Sequence, residues 1–426
     1  MKRLLFLLLP LFLLTACAGT PTGAVSTEAA SSASGSASVQ ADSAADGSDG
    51  TAAESESGTS SCAASDAVSE AASGQETASF KTSSASSGAP SKTSSVSSGT
   101  SSASSQTPVA KFTLPFKRGI NLSGLEGENY SPWFWSGTAY LGKDETYTNI
   151  KNKGFDHVRL PVDLRRYYNA DKKALKSNIS DLDGILDRIE KAGLYCCLDF
   201  HGWATLNTAD AAQKETFLTI WRLIAERYKD RSDKLCFELI NEPHTTEGGN
   251  LDAVRLNALQ AEVISLIRKT NPTRIILAAA AEWNGPWKLK NLNLPTDDGH
   301  LAVACHTYSP MDFTHQGATW AGRSADEVVH FSTSDKTATG TKDLDGAFND
   351  IKKYQERTGI PVILNEFGVY TQNKADRGET TAWLTYVTNK CKDYDVPWTY
   401  WEYNKGFGAY QGGSWVDYIV KGLGLN

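Results

Sequence analysis

The sequence predicts an α/β protein built on a (β/α)8 (TIM) barrel, and three observations support this fold class. Residues 108–426 alternate between short apolar runs, typical of buried parallel strands, and runs of helical period. Eight such units fit into about 320 residues. Polar residues follow several of the apolar runs, and in a barrel those strand ends converge on one pocket. The alternative is an open doubly wound sheet, but no glycine-rich phosphate loop follows the first strand.

Each predicted strand is an apolar run that ends at polar or turn residues. In chain order the strands are Lys117–Leu122, Phe155–Val162, Tyr195–Phe200, Lys234–Pro243, Arg274–Ala280, His300–Cys305, Pro361–Glu366 and Pro397–Trp401. The fourth run stops at Asn241-Glu242-Pro243, because proline cannot donate to a sheet ladder.

The predicted helices lie between these strands. They are Glu145–Lys153, Ser180–Ala192, Ala211–Tyr228, Leu251–Lys269, Phe348–Arg357, Glu379–Lys392 and Trp415–Leu423, with a short helical piece after the fifth strand. Ser180 is the expected N-cap of the second helix and Gly193 its terminator. Residues 307–347 have no clear period and predict a long loop over the active face.

The N-terminal part has a different composition from the barrel. Lys2 and Arg3 precede an apolar run that is too short for a mature membrane span, followed by Leu-Thr-Ala-Cys17. We expect residues 1–16 to be a lipoprotein signal peptide, with a lipid on Cys17 that anchors the protein to a membrane; an ordinary secretory signal is the alternative. Residues 17–107 are rich in Ser, Ala, Gly and Thr and predict a disordered linker that contains Cys62.

Composition excludes several classes of function. The full chain has a formal net charge of −7, but residues 108–426 hold 40 acidic and 38 basic residues, a net charge of only −2. A nearly neutral body without a basic patch argues against nucleic acid and fits an uncharged partner. Seven cysteines in 426 residues are too few for a disulfide framework.

Two glutamates share the same context, each at the end of an apolar strand. Glu242 ends the fourth strand and Glu366 ends the seventh. A buried carboxylate is costly unless it has a partner or a chemical task. Paired carboxylates at two strand ends are what glycoside hydrolysis requires, one as the acid and one as the nucleophile or base.

Further polar residues occupy the other strand ends in a fixed order. The set Arg159, His201, Asn241-Glu242, His306 with Tyr308, Glu366 and Trp401 resembles glycoside hydrolase family 5, the cellulase family, over residues 108–426. Asn-Glu-Pro alone is common, whereas the ordered set is specific. Cys236 departs from the family pattern, which usually has a larger residue there; this concerns core packing.

The resemblance implies a retaining double displacement with Glu242 as acid/base and Glu366 as nucleophile. For this chemistry Glu242 needs a raised pKa, and Glu366 must stay ionised, with Arg159 as its cation and Tyr308 as a hydroxyl donor. The same resemblance assigns Asn241 to the sugar 2-hydroxyl, His201 and His306 to sugar hydroxyls or carboxylate orientation, and Trp401 to the floor under the cleaved sugar.

Structural roles remain as alternatives for these residues. Arg159 fits a structural ion pair, the two histidines fit buried hydrogen-bonded side chains, and Trp401 fits a core residue. No His-Glu-x-x-His run predicts a metal, and we expect no metal and no cofactor. Exposed tryptophans stack well on sugar faces. The candidate outer subsites are Trp133, Trp135, Trp203, Trp283 and Trp320, while Cys196, Cys197, Cys236 and Cys305 are expected to be small core residues.

The sequence thus predicts an exported, monomeric endo-β-1,4-glucanase held at the cell surface by its lipid. Mannan, xyloglucan and mixed-linkage glucan stay alternative substrates, because the shared residues serve the cleaved bond and not the outer sugars. An oligosaccharide-binding lipoprotein without catalysis is the alternative from another class, and a cell-wall adhesin with a decayed site is a third.

Overall fold

The computed structural model describes residues 112–127, 138–372 and 375–425. Three predictions lie outside the described residues: the signal, the whole linker with Cys17 and Cys62, and the subsites at Trp133 and Trp135. Among the helices in the described ranges, none is both long and apolar enough to cross a membrane.

Eight parallel strands close into a barrel, as the sequence predicts. They are β1 Arg118–Asn121, β2 His157–Val162, β3 Tyr195–Phe200, β4 Leu235–Glu238, β5 Ile276–Ala279, β6 Leu301–His306, β7 Val362–Glu366 and β8 Trp398–Tyr400. Each strand pairs with its neighbour in the chain, and β8 pairs with β1 to close the ring. Two short hairpins, Tyr168–Asn169 with Ala174–Leu175 and Tyr410–Gln411 with Ser414–Trp415, lie outside the barrel.

The main helices follow strands β1 to β4 and β6 to β8. They are Asp144–Asn152, Ile179–Lys191, Ala211–Arg227, Ala253–Arg268, Lys342–Thr358, Arg377–Asp393 and Asp417–Gly422. Shorter helical turns occupy Ala139–Gly142, Leu164–Tyr167, Ala281–Asn284, Pro286–Asn291, Met311–Thr314 and Thr319–Ala321. Alternate crossovers of this kind place the strand C-termini at one end of the barrel.

Two local predictions are wrong. The segment 307–347 is not a continuous loop, because it contains two helical turns and because the next helix begins at Lys342 rather than Phe348. Leu344, Phe348 and Ile351 are buried at helical spacing, which extends the amphipathic face by one turn. The second helix starts at Ile179 with Asn178 as N-cap, and no side-chain capping bond is made there.

The barrel interior has an apolar lower part and a polar upper part. At the N-terminal end, Leu114 and Phe116 pack against Cys197 and Cys236 inside the barrel. Cys196, Cys197, Cys236 and Cys305 are buried free thiols, as predicted. Toward the C-terminal end, the interior positions carry charged and amide side chains instead, and these build the site described next.

Candidate active site

Arg159 on β2 lies at the centre of the polar upper layer and is completely buried. Its guanidinium donates to both oxygens of Glu238, at 2.8 and 2.9 Å, and lies 2.9 Å from Asp199. It also donates to Glu366 Oε1 at 2.5 Å. Three carboxylates therefore surround one cation, and these charges hold the pKa of Arg159 well above its usual value despite burial.

Glu366 at the end of β7 is fixed at both oxygens. Arg159 holds Oε1, and the Tyr308 hydroxyl donates to Oε2 at 3.0 Å. The side chain is 6% exposed, so it can meet a ligand only from the cleft. A cation and a hydroxyl donor stabilise the ionised form that a nucleophile needs.

Glu242 faces Glu366 across the barrel mouth. Oxygens of the two carboxyls and a ring nitrogen of His306 all lie within 4.8 Å of one another. The Glu242 side chain is 28% exposed, yet its carboxyl sits deep enough in the cleft that desolvation raises its pKa, against the opposing charges of His201 and Arg159. The environment of Glu242 thus disfavours a charge, whereas the environment of Glu366 supplies hydrogen-bond donors to its carboxyl.

His306 lies between the two glutamates. A register shift between Cys305 and His306 interrupts the pairing of β6 with β7, and such irregularities re-aim side chains next to active sites. His306 Nδ1 is 2.8 Å from Glu242 Oε1 and 3.6 Å from Glu366 Oε2. Burial lowers the pKa of His306 to about 4, so the ring is neutral above that pH and donates to Glu242 without adding charge.

A second part of the site consists of His201, Asn241 and Trp401, which contact one another. Asn241 Oδ1 accepts from Arg159 at 2.8 Å, which leaves its Nδ2 facing His201 Nε2 at 3.2 Å. Burial opposes a charge on His201, but Asp199, 2.7 Å from Nδ1, raises its pKa to about 9. Nε2 accepts from the Asn241 amide only when the ring is neutral, because a charged ring carries a proton on both nitrogens. This ring stacks on Trp401, with centroids 6.1 Å apart.

A metal ion is one possible occupant of the gap between the carboxyls. Among the described residues, Glu242, His306 and Glu366 bring three ligand atoms close enough to hold one. However, both oxygens of Glu366 already accept hydrogen bonds from Arg159 and Tyr308. The donor set therefore fits an organic substrate held between two carboxyls better than it fits a metal.

All eight strand-end residues predicted from the sequence meet in this one network. In a comparison with protein families, residues 111–406 match the family described as cellulase (glycosyl hydrolase family 5). The chain belongs to glycosyl hydrolase family 5. By family it is therefore an enzyme that hydrolyses glycosidic bonds.

Individual relatives of this family 5 chain include both curated proteins and solved structures. Endoglucanase H of Acetivibrio thermocellus is 29% identical over 298 residues, which are 68% of this chain but only 30% of that protein. The chain thus spans about a third of that relative's length. The structure of cellulose synthase subunit Z from Clostridioides difficile is 30% identical, with a TM-score of 0.64. The match covers 72% of this chain and 99% of that one. Endoglucanase Cel5A of Thermotoga maritima is 31% identical with a TM-score of 0.65, over 72% of this chain and 96% of that one.

The family 5 site also contains acidic residues that the sequence analysis missed. Asp199 on β3 and Glu238 on β4 are completely buried and bind Arg159. Burial raises the pKa of Glu238, although Arg159 opposes this. A signal for both existed, because each is a charged residue inside an otherwise apolar strand, and such a residue needs a partner.

A second acidic pair lines a cleft of about 350 Å³ beside Trp401. Glu126 and Glu402 lie in this cleft with Lys405, and Ser123 donates to the Glu402 carboxyl. Burial raises the pKa of both carboxyls. Sequence periodicity gave no signal for them, because both lie in loops just beyond strands β1 and β8.

The candidate outer tryptophans differ in their exposure. Trp203 is 8% exposed and packs near Phe200 and Phe217, so the structure favours a packing role for it over a sugar subsite. Trp283 is 40% exposed and Trp320 is 54% exposed. Both follow strands on the active face, and both keep ring surface available for a sugar.

Proposed function

We propose that this protein is a retaining endo-β-1,4-glucanase, with Glu366 as nucleophile and Glu242 as acid/base. The observation that carries the proposal is the proximity of the two carboxyls, whose oxygens lie within 4.8 Å. Retaining glycosidases keep their carboxyls about 5–5.5 Å apart, whereas inverting ones need about 6.5–9.5 Å to admit a water. The contrast between a carboxyl with a raised pKa and one held by a cation supports the same assignment.

The geometry supports the following steps. Glu366 attacks the anomeric carbon while Glu242 gives its proton to the leaving oxygen, so that a glycosyl ester forms and the glycosidic bond breaks. The ester no longer carries the Glu366 charge, and Glu242, now ionised, removes a proton from water. Attack of that water on the anomeric carbon releases the sugar and restores both carboxyls, with net retention.

The surrounding residues position the sugar in this proposal. Asn241, held by Arg159, offers its amide to the sugar 2-hydroxyl, where a hydrogen bond strengthens in the transition state. Trp401 forms the floor under the cleaved sugar, and His201 and His306 orient hydroxyls or carboxyls. Trp283 and Trp320 serve as platforms in outer sugar subsites.

Glu366→Gln and Glu242→Gln test the catalytic assignment. We expect both variants to fold and to lose nearly all turnover on cello-oligosaccharides. Proton NMR of the first product formed by the unmodified protein should show the β-anomer. Formation of the α-anomer first would rule out double displacement, and unchanged turnover in either variant would rule out the assigned roles.

Substrate choice is tested by a panel of polysaccharides. A cellulose derivative should be cleaved faster than mannan, xyloglucan or barley glucan, with short oligosaccharides as products. The similarity to a cellulose synthase subunit adds bacterial cellulose to the panel as a second source of β-1,4-glucan. A non-catalytic binding lipoprotein, the alternative from another class, would bind oligosaccharides and cleave none of them.

The proposal includes export and anchoring through a lipid on Cys17, with the enzyme acting as a monomer. The basis is the charged and apolar N-terminus that ends in Leu-Thr-Ala-Cys17. Metabolic labelling with a fatty acid should mark the protein that keeps Cys17 and should not mark the Cys17→Ser variant. Equal labelling of the two would contradict the anchor without affecting the catalytic proposal.

A further inference from the structure

The turn that follows β5 has an unusual backbone. Glu282, Trp283 and Asn284 have φ values of 54°, 57° and 53°, so three successive residues other than glycine are left-handed. Each such residue costs about 1–2 kcal/mol relative to a right-handed one. A run of three persists only where surrounding contacts hold it.

Those contacts lead to the loop that carries Glu242. The Asn284 side-chain oxygen accepts a hydrogen bond from the Glu242 backbone N–H at 3.1 Å. The Trp283 ring stacks on the His244 ring with centroids 4.6 Å apart and an angle of 18°. Thr245 also donates to the Glu282 carboxyl at 3.2 Å. All three residues of the turn therefore contact the segment 242–245.

The peptide groups of Glu242 need this support because regular strand pairing has already ended. Strand β4 stops at Glu238, and Glu242 itself is left-handed with φ 47°. Its N–H is held by Asn284, and its carbonyl lies 2.7 Å from His244 Nδ1. Both backbone polar groups of Glu242 are thus held by side chains rather than by a sheet.

Asn284 has little other use in the fold. It is completely buried, and its Nδ2 has no hydrogen-bond partner within the described ranges. Burying an amide group without a full set of partners destabilises a protein. The bond to Glu242 is the favourable contact of this side chain that the structure shows.

We infer that Asn284 is a positioning residue for Glu242, and that the turn 282–284 aims the carboxyl for proton transfer. This inference rests on the proposed function of Glu242. Without the Asn284 oxygen, the left-handed backbone of Glu242 relaxes, and its carboxyl leaves the 2.8 Å contact with His306. Because Trp283 belongs to the same turn, a sugar stacked on its ring contacts the element that aims the acid.

The test compares two substrates that differ in their need for an acid. Hydrolysis of cellotetraose needs a protonated leaving group, whereas dinitrophenyl β-cellobioside has a leaving group that departs without one. Asn284→Gly removes the side chain without adding backbone strain, since glycine adopts positive φ freely. Asn284→Asp keeps an oxygen that accepts the Glu242 N–H.

For Asn284→Gly we expect kcat/KM on cellotetraose to fall by about 10–100-fold, part of the 10²–10⁴-fold that acid–base catalysis contributes. The fall on the dinitrophenyl substrate should be at least about ten times smaller. Asn284→Asp should recover most of the cellotetraose rate. Asn271→Ala is the matched control: Asn271 is also buried and donates to a backbone carbonyl, Ala225 O, but it lies at the far end of the barrel. It should change both rates equally.

Glu242→Ala separates the inference from the function on which it rests. If Glu242→Ala lowers kcat/KM on both substrates by the same factor, the acid assignment itself is wrong. If Glu242→Ala lowers kcat/KM on cellotetraose selectively while Asn284→Gly lowers it on both substrates by the same factor, the positioning role is overturned. The dinitrophenyl rate also reports the folded fraction, so a partly unfolded variant still gives an answer.

Discussion

Arg159→Met tests the idea that one cation neutralises three buried carboxylates. The substitution keeps most of the side-chain volume and removes the contacts to Asp199, Glu238 and Glu366. Removing one partner of a buried ion pair costs about 3–5 kcal/mol, because the other partner is left charged and unpaired. With three partners affected, we expect the upper end of this range at pH 7. For roughly 300 folded residues, a loss of about 5 kcal/mol lowers Tm by about 8 °C.

The pH dependence of the loss has a definite sign. Burial already raises the pKa of Glu238 while Arg159 opposes the shift, so removing Arg159 raises it further. A carboxyl whose pKa is higher in the folded than in the unfolded state makes its full contribution to the free energy of unfolding below the unfolded pKa. That contribution is lost as pH rises through the folded pKa. The free energy of unfolding of the variant should therefore approach that of the unmodified protein as pH falls from 7 toward 5.

Urea unfolding of the full chain at pH 7 and pH 5 measures both effects. Arg274→Met is the control, because Arg274 is a buried arginine that donates to backbone carbonyls such as Tyr228 O and Leu235 O and, within the part of the chain that the structure describes, to no carboxylate. Its loss should be similar at both pH values. The charge balance would be refuted if Arg159→Met lost less than about 1 kcal/mol of unfolding free energy at pH 7. It would also be refuted if the difference in unfolding free energy between the variant and the original protein grew on acidification.

Three further predictions concern catalysis. Burial raises the pKa of Glu242, so kcat/KM on cello-oligosaccharides should fall as pH rises through that pKa. The same fall in kcat/KM should be absent with the dinitrophenyl substrate. A fall of equal size on both substrates would contradict the acid role. Tyr308→Phe removes a donor from Glu366 and should lower kcat by about 10²-fold with an unchanged circular dichroism spectrum. A loss of less than about threefold would make that hydroxyl dispensable. Trp320→Ala removes an exposed ring and should raise KM for cellohexaose by about tenfold, equivalent to about 1.4 kcal/mol, while KM for an aryl cellobioside stays unchanged.

The sequence predicted the barrel and its catalytic end because both follow from local patterns. A strand buried on both faces is a short apolar run, and the polar residue after it marks the end that faces the pocket. Glu242, His306 and Glu366 all carry that signal. The bounds of the fourth strand were less accurate, since the regular strand ends at Glu238 and not at Pro243. The apolar run continues because Leu239 and Ile240 stay buried, and Leu239 N and Asn241 N still donate to Leu277 O and Phe200 O of the neighbouring strands.

The residues that the sequence did not predict are those whose purpose depends on a distant partner. Asn284 lies 42 positions from Glu242, and nothing in its own neighbourhood indicates that its oxygen meets that N–H. Glu238 lies 79 positions from Arg159 and shows its role only as a charge within an apolar strand. A carboxylate that acts on substrate must be reached from the strand end, so its position in the pattern is fixed. A neutral side chain that only holds the backbone of such a residue, as Asn284 does, can come from any neighbouring element, so its local sequence does not indicate its role.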